Sequence, residues 1–133
     1  MTKEQLAALF EKHDMRFTRP RMAVAQLLLM DGEDRHVSAE WVANQLAQSN
    51  ESVSLASVYN TLNSFVEIGV LRQIHVGGSS IVFDTNTREH HHFLKESTGE
   101  LIDIEASDLV VSKLPTPPEG SDIKAVSLII RID

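Results

Sequence analysis

Between Met22 and Met30 the chain is apolar at 22–25 and at 27–30, with Gln26 the single interruption. Thr18 is placed to cap a helix there, and Pro20 falls in its first turn, where a missing N–H costs little. A helix apolar around its whole girth cannot lie on a surface, so other elements must wrap it. The neighbouring segments supply the wrapping. Leu6, Leu9, Phe10 and His13 share one helical stripe, and Phe17-Thr18 breaks that helix. Asp31-Gly32-Glu33-Asp34 ends the central one. Ser38 caps a third helix with Glu40 in its first turn, where the helix dipole favours an anion, and Trp41, Val42 and Leu46 form its inner face. Ser54 caps a fourth helix, Leu55 to about Ile68, stopped by Gly69, with Leu55, Val58, Leu62, Phe65 and Val66 inward. Val70 to Val76, the turn Gly77-Gly78-Ser79-Ser80 and Ile81 to Phe83 then read as a hairpin. Helices followed by a hairpin, with a short link between the third and fourth, predict a winged helix-turn-helix.

The rest of the chain mixes periods. Phe93-Leu94, Leu101 to Ile104 and Ile123 to Ile132 are expected as strands, and Ser107 to Leu114 as a short helix stopped by Pro115, Pro117 and Pro118. The expected class is α+β, with a winged helix-turn-helix DNA-binding domain over residues 1–84 and a small α/β dimerisation and ligand-sensing domain over 85–133. So short a second segment is expected to complete its core against a second copy. Trp41 and the methionines are expected in the core, and His13 and His75 at the surface or at helix ends.

Composition narrows the function. The absence of cysteine excludes disulfides, thiolate zinc sites and thiol catalysis. Nineteen acidic against twelve basic residues give a net charge of −7. Bulk charge therefore cannot hold nucleic acid, although a local basic cluster can. No run of eighteen apolar residues occurs, so no membrane span is expected, and the charged N-terminus lacks a signal-peptide apolar block. A cytoplasmic location is the default expectation.

Two constellations carry chemistry. On the fourth helix, Ala56, Tyr59, Asn60 and Asn63 form an acid-free stripe opposite the inner face, which is unusual in so acidic a chain. Asparagine can pair with adenine, and an aromatic edge or methyl can meet thymine methyls. Ser57 joins this group, and Arg16, Arg19 and Arg21 upstream suit phosphates or the minor groove. A plain solvated helix face is the competing reading. The second constellation is His90-His91-His92. On a strand His90 and His92 share one face, and with Asp84, Asp103 and His36 they offer an N/O donor set without sulfur. Such a set suits iron, manganese or cobalt, with zinc able to compete. A ligand there would tie the two halves together and act as a switch. A hydrolytic or oxidative His/Asp metalloenzyme is the other class, but no general base or nucleophile stands near the cluster in sequence. A regulator rather than an enzyme is therefore expected.

The segments RFTRPRMAV, HVSAEWV, VSLASVYNTLNSFVEIGVL and FDTNTREHHH resemble the ferric uptake regulator (Fur) family over about residues 14 to 104. That resemblance implies a metal- or haem-responsive transcription regulator that binds palindromic operators as a homodimer. It implies His36, Asp84, His90, His92 and Asp103 as metal ligands, Tyr59 as a base-reading residue and Arg16 as a minor-groove contact. The chain departs from the family where a CxxC often follows the histidines: Lys95 and Thr98 stand there, so the structural zinc site is absent. Val110 and Val126 replace a second regulatory site, and Asn60 replaces a frequent basic residue. A cysteine-free chain with FDTN before HHHF is most similar to the iron response regulator (Irr) branch, which implies haem, with His90, His91 and His92 as candidate ligands, and control of iron and haem genes. A peroxide- or manganese-responsive member is the alternative, and the Asp84, His90, His92 and Asp103 spacing permits oxidation of a ligand histidine by bound iron.

Overall fold

The computed structural model describes residues 1–77 and 80–133. The expected turn at Gly77-Gly78-Ser79-Ser80 falls partly on residues 78 and 79, outside the described residues. The chain divides into two compact units, Met1–Thr87 and Arg88–Asp133.

The first unit contains α1 (Lys3–Lys12), α2 (Arg19–Leu28), β1 (His36–Val37), α3 (Ala39–Gln48), α4 (Leu55–Glu67), β2 (Arg72–Gly77) and β3 (Ser80–Asp84). Each helix begins where a hydroxyl can take an orphan N–H. Thr2 and Gln5 form a reciprocal capping box, and Thr18, Ser38 and Ser54 cap the next three helices. α2 is wrapped as its composition demands, with Ala23, Val24, Ala25 and Leu28 buried, although it ends at Leu28 rather than Met30. Around it pack Leu6 and Phe10 of α1, Val42 and Leu46 of α3, and Val58, Leu62 and Phe65 of α4. The Phe10 and Phe65 rings lie 5.9 Å apart at 50°.

Three inward assignments are corrected. Trp41 is exposed, because capping at Ser38 turns Ala39, Val42 and Leu46 inward and leaves Trp41 on the flank. Leu55 is exposed, since the first turn of α4 projects past the core that holds Val58 and Leu62. Met1 is exposed and Met15, Met22 and Met30 are only partly buried, packed at the edge of the cluster. His13, expected at the surface or a helix end, is exposed as the C-cap of α1.

The sheet of this unit runs β1-β3-β2, all antiparallel. β1 has only two residues and was not anticipated: two residues leave no period to read. It pairs His36 with Asp84 and Val37 with Phe83. The loop before it is latched at both ends. Asp31 accepts a forked pair of hydrogen bonds from the Arg35 guanidinium, and Thr85 Oγ1 accepts the Arg35 N–H at 2.8 Å while the Thr85 N–H donates to the Arg35 carbonyl at 3.0 Å. The guanidinium, with a further N–H from Glu33, holds the Asp31 carboxyl far below the ordinary carboxylate range.

The second unit holds β4 (His90–Lys95), β5 (Glu100–Glu105), one 3-10 turn at Ala106–Asp108 and β6 (Ile129–Ile132), in sheet order β5-β4-β6. β4 and β5 form an antiparallel hairpin, and β6 runs parallel to β4. The expected helix over 107–114 does not form; beyond Asp108 the chain is irregular up to Leu128. Val110 and Val111 are β-branched, Leu114 is disfavoured in helix by the following Pro115, and Val110 at 85% exposure has no core to face. The strand expected from Ile123 starts only at Ile129, because β6 is bounded by its pairing with β4, which runs from His92↔Ile129 to Lys95↔Ile132. Among the described residues no helix is long and apolar enough to cross a membrane.

Two outcomes follow from this packing. Phe65→Ala lowers stability by about 3–5 kcal/mol in urea unfolding, because the space beside Phe10 cannot collapse fully. Asp31→Asn also lowers stability. The wild-type carboxyl titrates below its ordinary value of 3.8, so its contribution is fully present above that pH and is lost as pH falls. Urea unfolding across pH therefore shows the gap between the two proteins closing on acidification.

Candidate metal centre and nucleic-acid face

In the second unit the two-residue period of a strand places His90 and His92 side by side on β4, with rings 4.5 Å apart and close to perpendicular. Cross-strand pairing sets His92 opposite Asp103. Asp103 Oδ1 lies 3.6 Å from His90 Nε2 and 3.3 Å from His92 Nε2. Both imidazoles are buried, while Asp103 remains partly open to solvent. His90 Nδ1 lies 2.6 Å from the Arg88 carbonyl, which can only accept. The ring therefore donates there, and in its neutral form Nε2 presents a lone pair towards Asp103. Metal-binding histidines are oriented in this way, by a hydrogen bond on the far nitrogen. Two such nitrogens and a carboxylate oxygen, each able to reach within 4.8 Å of the others, fit a divalent ion of the iron or manganese type.

His91 faces the other way and is also buried. Its Nδ1 accepts the Leu128 N–H at 3.1 Å, and the His92 N–H donates to the Leu128 carbonyl at 3.1 Å. The middle histidine thus helps fasten the chain entering β6, a role that no local sequence signal announces because its partner lies 37 residues away.

In the first unit Asp84, at the end of β3, is fully buried. Its Oδ1 accepts the Asn86 N–H at 2.9 Å, and its Oδ2 lies 3.2 Å from His36 Nε2. A buried carboxylate is costly unless it is partnered, and these contacts meet that need. His36 and Asp84 thus form a second N/O pair, built by the register of β1 against β3. Sequence reading found both residues but missed the Asp31–Arg35–Thr85 latch that sets that register.

The α4 stripe lies on the outside of the first unit. Ala56, Asn60 and Asn63 are exposed, and Tyr59 is half-buried. Ser57 is committed to the cap: its N–H and its Oγ both bond Ser54 Oγ, at 3.2 and 3.0 Å. Arg16 and Arg19 are exposed; Arg19 Nε stands 3.9 Å from Glu51 Oε2. Arg21 bends back to donate to the Arg16 carbonyl at 2.9 Å. A cleft lined by Thr18, Arg21, Ser57, Asn60 and Ser64 joins the start of α2 to the α4 face. The Tyr59 hydroxyl donates to Glu40 Oε1 at 3.1 Å.

Comparison with known proteins agrees with this architecture. The peroxide-responsive repressor PerR of Staphylococcus epidermidis is 31% identical over 100 residues, which span 75% of this chain and 65% of the relative's length. PerR of Staphylococcus aureus is 29% identical over 106 residues, 80% of this chain and 70% of the relative. The ferric uptake regulator of Pseudomonas aeruginosa, solved with manganese, superposes with a TM-score of 0.73 at 26% identity, covering 95% of each chain. Residues 12–130 match the ferric uptake regulator family as a whole. With its capped helices, three-stranded wing sheet and His/Asp donor sets, the chain belongs to the ferric uptake regulator family, a family of metal-responsive transcription regulators rather than enzymes.

Proposed function

We propose that this protein is a DNA-binding repressor that responds to peroxide through a divalent metal, iron or manganese, held by His90, His92 and Asp103. The observation that carries the reading is the convergence of two buried imidazole nitrogens on one carboxylate oxygen, with His90 oriented by the Arg88 carbonyl. His36 and Asp84 are proposed as further donors to the same ion. The chemistry of that pair and the family's ligand pattern support this assignment. Iron(II) held there would supply redox activation of peroxide; in the overall change H2O2 is the two-electron oxidant and a ligand imidazole the reductant, one peroxide oxygen ending on the imidazole and the other leaving as water. The buried setting of His90 and His92 keeps bulk water from competing for the donor atoms.

Residues 1–84 are proposed as the reading domain and 85–133 as the dimerisation and sensing domain. Helix α4 would enter the major groove with Tyr59, Asn60 and Asn63, while Arg16, Arg19 and Arg21 would meet the backbone. A homodimer would then read a palindromic operator, half-sites being set by the twofold axis. Exposed Ile102, Ile130 and Ile132 on the second unit's sheet support a second copy there. A cytoplasmic location is proposed with this role.

The expectation of an iron- or haem-responsive member of the Irr branch divides from the peroxide reading in one experiment. His91 uses Nδ1 on Leu128, and the other two imidazoles face a carboxylate, which favours a hard cation over haem. Purified protein is titrated with Fe(II), Mn(II) and haem, and each form is used to select duplexes from a random pool. Metal-dependent selection is expected, lost in the double variant His90→Ala, His92→Ala. After peroxide, the iron form is expected to release DNA and to show one added oxygen on His36, His90 or His92 by mass spectrometry. A stoichiometric haem spectrum that alone controls DNA binding would overturn the peroxide reading in favour of haem. Tyr59→Ala is expected to weaken binding to the selected duplex by about 5- to 150-fold, as a lost base contact of about 1–3 kcal/mol implies, with the dimer unchanged in sedimentation.

A further inference from the structure

Glu40 is an unexpected neighbour for a DNA-reading face. It stands in the first turn of α3, exposed, and accepts the hydroxyl hydrogen of Tyr59 on α4 across 3.1 Å. A carboxylate there repels phosphate, so its position needs a compensating use. A tyrosine hydroxyl can both donate and accept. Once its hydrogen is engaged, only the lone pairs and the ring are left to meet a ligand.

We infer that Glu40 is a specificity-determining positioning residue, which fixes Tyr59 on the exposed face of α4 and leaves its hydroxyl oxygen able only to accept. The inference rests on the DNA-binding reading of α4. In the major groove the bases that can donate to such an oxygen are adenine through N6 and cytosine through N4. Thymine O4 and guanine O6 and N7 are acceptors and find no hydrogen to take. Phosphate oxygens are acceptors too, so Tyr59 cannot serve as a sequence-blind backbone anchor. The thymine methyl can still lie against the ring. Glu40 thereby turns a versatile side chain into a selective one, and its charge adds a penalty for misplaced backbone. In agreement, the hydrogen bond to Glu40, then desolvation, then the Glu40 charge all raise the Tyr59 phenol above its ordinary value.

The chain contains a single tyrosine, so the ultraviolet absorbance of phenolate formation reads Tyr59 alone. The full chain, loaded with Mn(II), is compared with Glu40→Ala and Glu40→Gln on a duplex that the wild type selects from a random pool and on a scrambled duplex of the same composition. Glu40→Ala is expected to bind the scrambled duplex more tightly and to lose about tenfold in the ratio of the two affinities, the scale of one base contact. Glu40→Gln keeps an acceptor oxygen and is expected to restore most of that ratio. Phenolate formation is expected at lower pH in Glu40→Ala than in wild type. An unchanged ratio in Glu40→Ala overturns the inference, as does a Glu40→Gln loss equal to that of Glu40→Ala, or a phenolate titration that does not move. If the wild type selects no duplex, the DNA-binding reading fails and the inference with it. Selection with an unaltered ratio removes the inference alone.

Discussion

A buried imidazole or carboxylate has to find a partner, and each unit of this protein is arranged around that demand. Among the described residues no buried side-chain polar atom lacks a hydrogen-bond partner. Asp84 is fully enclosed at a strand end and is tolerated because Asn86 and His36 meet its two oxygens. His90 and His92 are enclosed on β4 and meet Asp103 across the hairpin. Apolar residues in those places would satisfy the folding requirement with less strictness. That polar groups stand there instead argues for chemistry, and the absence of cysteine narrows that chemistry to ions content with nitrogen and oxygen.

Backbone geometry does the positioning in both cases. The pleat of β4 puts alternate histidines on opposite faces, so a triplet divides into a facing pair and a single residue with a different task. The pair presents Nε2 atoms towards a carboxylate, and the single residue binds the backbone of Leu128 and helps bring β6 alongside. In the first unit a two-residue strand suffices to place His36, because the Asp31–Arg35 fork and the paired hydrogen bonds of Thr85 hold the loop that delivers it. Such a short strand has little stability of its own; its register is imposed from outside.

The reading face proposed for the same unit takes its character from one cross-helix contact. An acid-free stripe on α4 suggests an uncomplicated surface for DNA, yet the acid that tunes it comes from α3. A charge excess of −7 then becomes intelligible: acidic groups cost little where phosphate does not approach and can discriminate where it does.

Much of this was legible in the chain itself. Thr18, Ser38 and Ser54 announced three helix starts, the girth of α2 required a wrapped core, and the spacing of His90 and His92 implied a shared face, since all three depend on neighbours within a few residues. The same local reasoning misjudged Trp41, Leu55 and the 107–114 segment, because hydrophobicity states a preference for burial without stating whether a core is within reach. Tertiary structure alone decided that Asp103 faces both imidazoles, that Arg35 latches β1, that His91 binds Leu128 and that Glu40 accepts the hydrogen bond of the Tyr59 hydroxyl. Those partners are separated along the chain, and only the pairing of strands and the crossing of helices brings their short-ranged hydrogen bonds within distance.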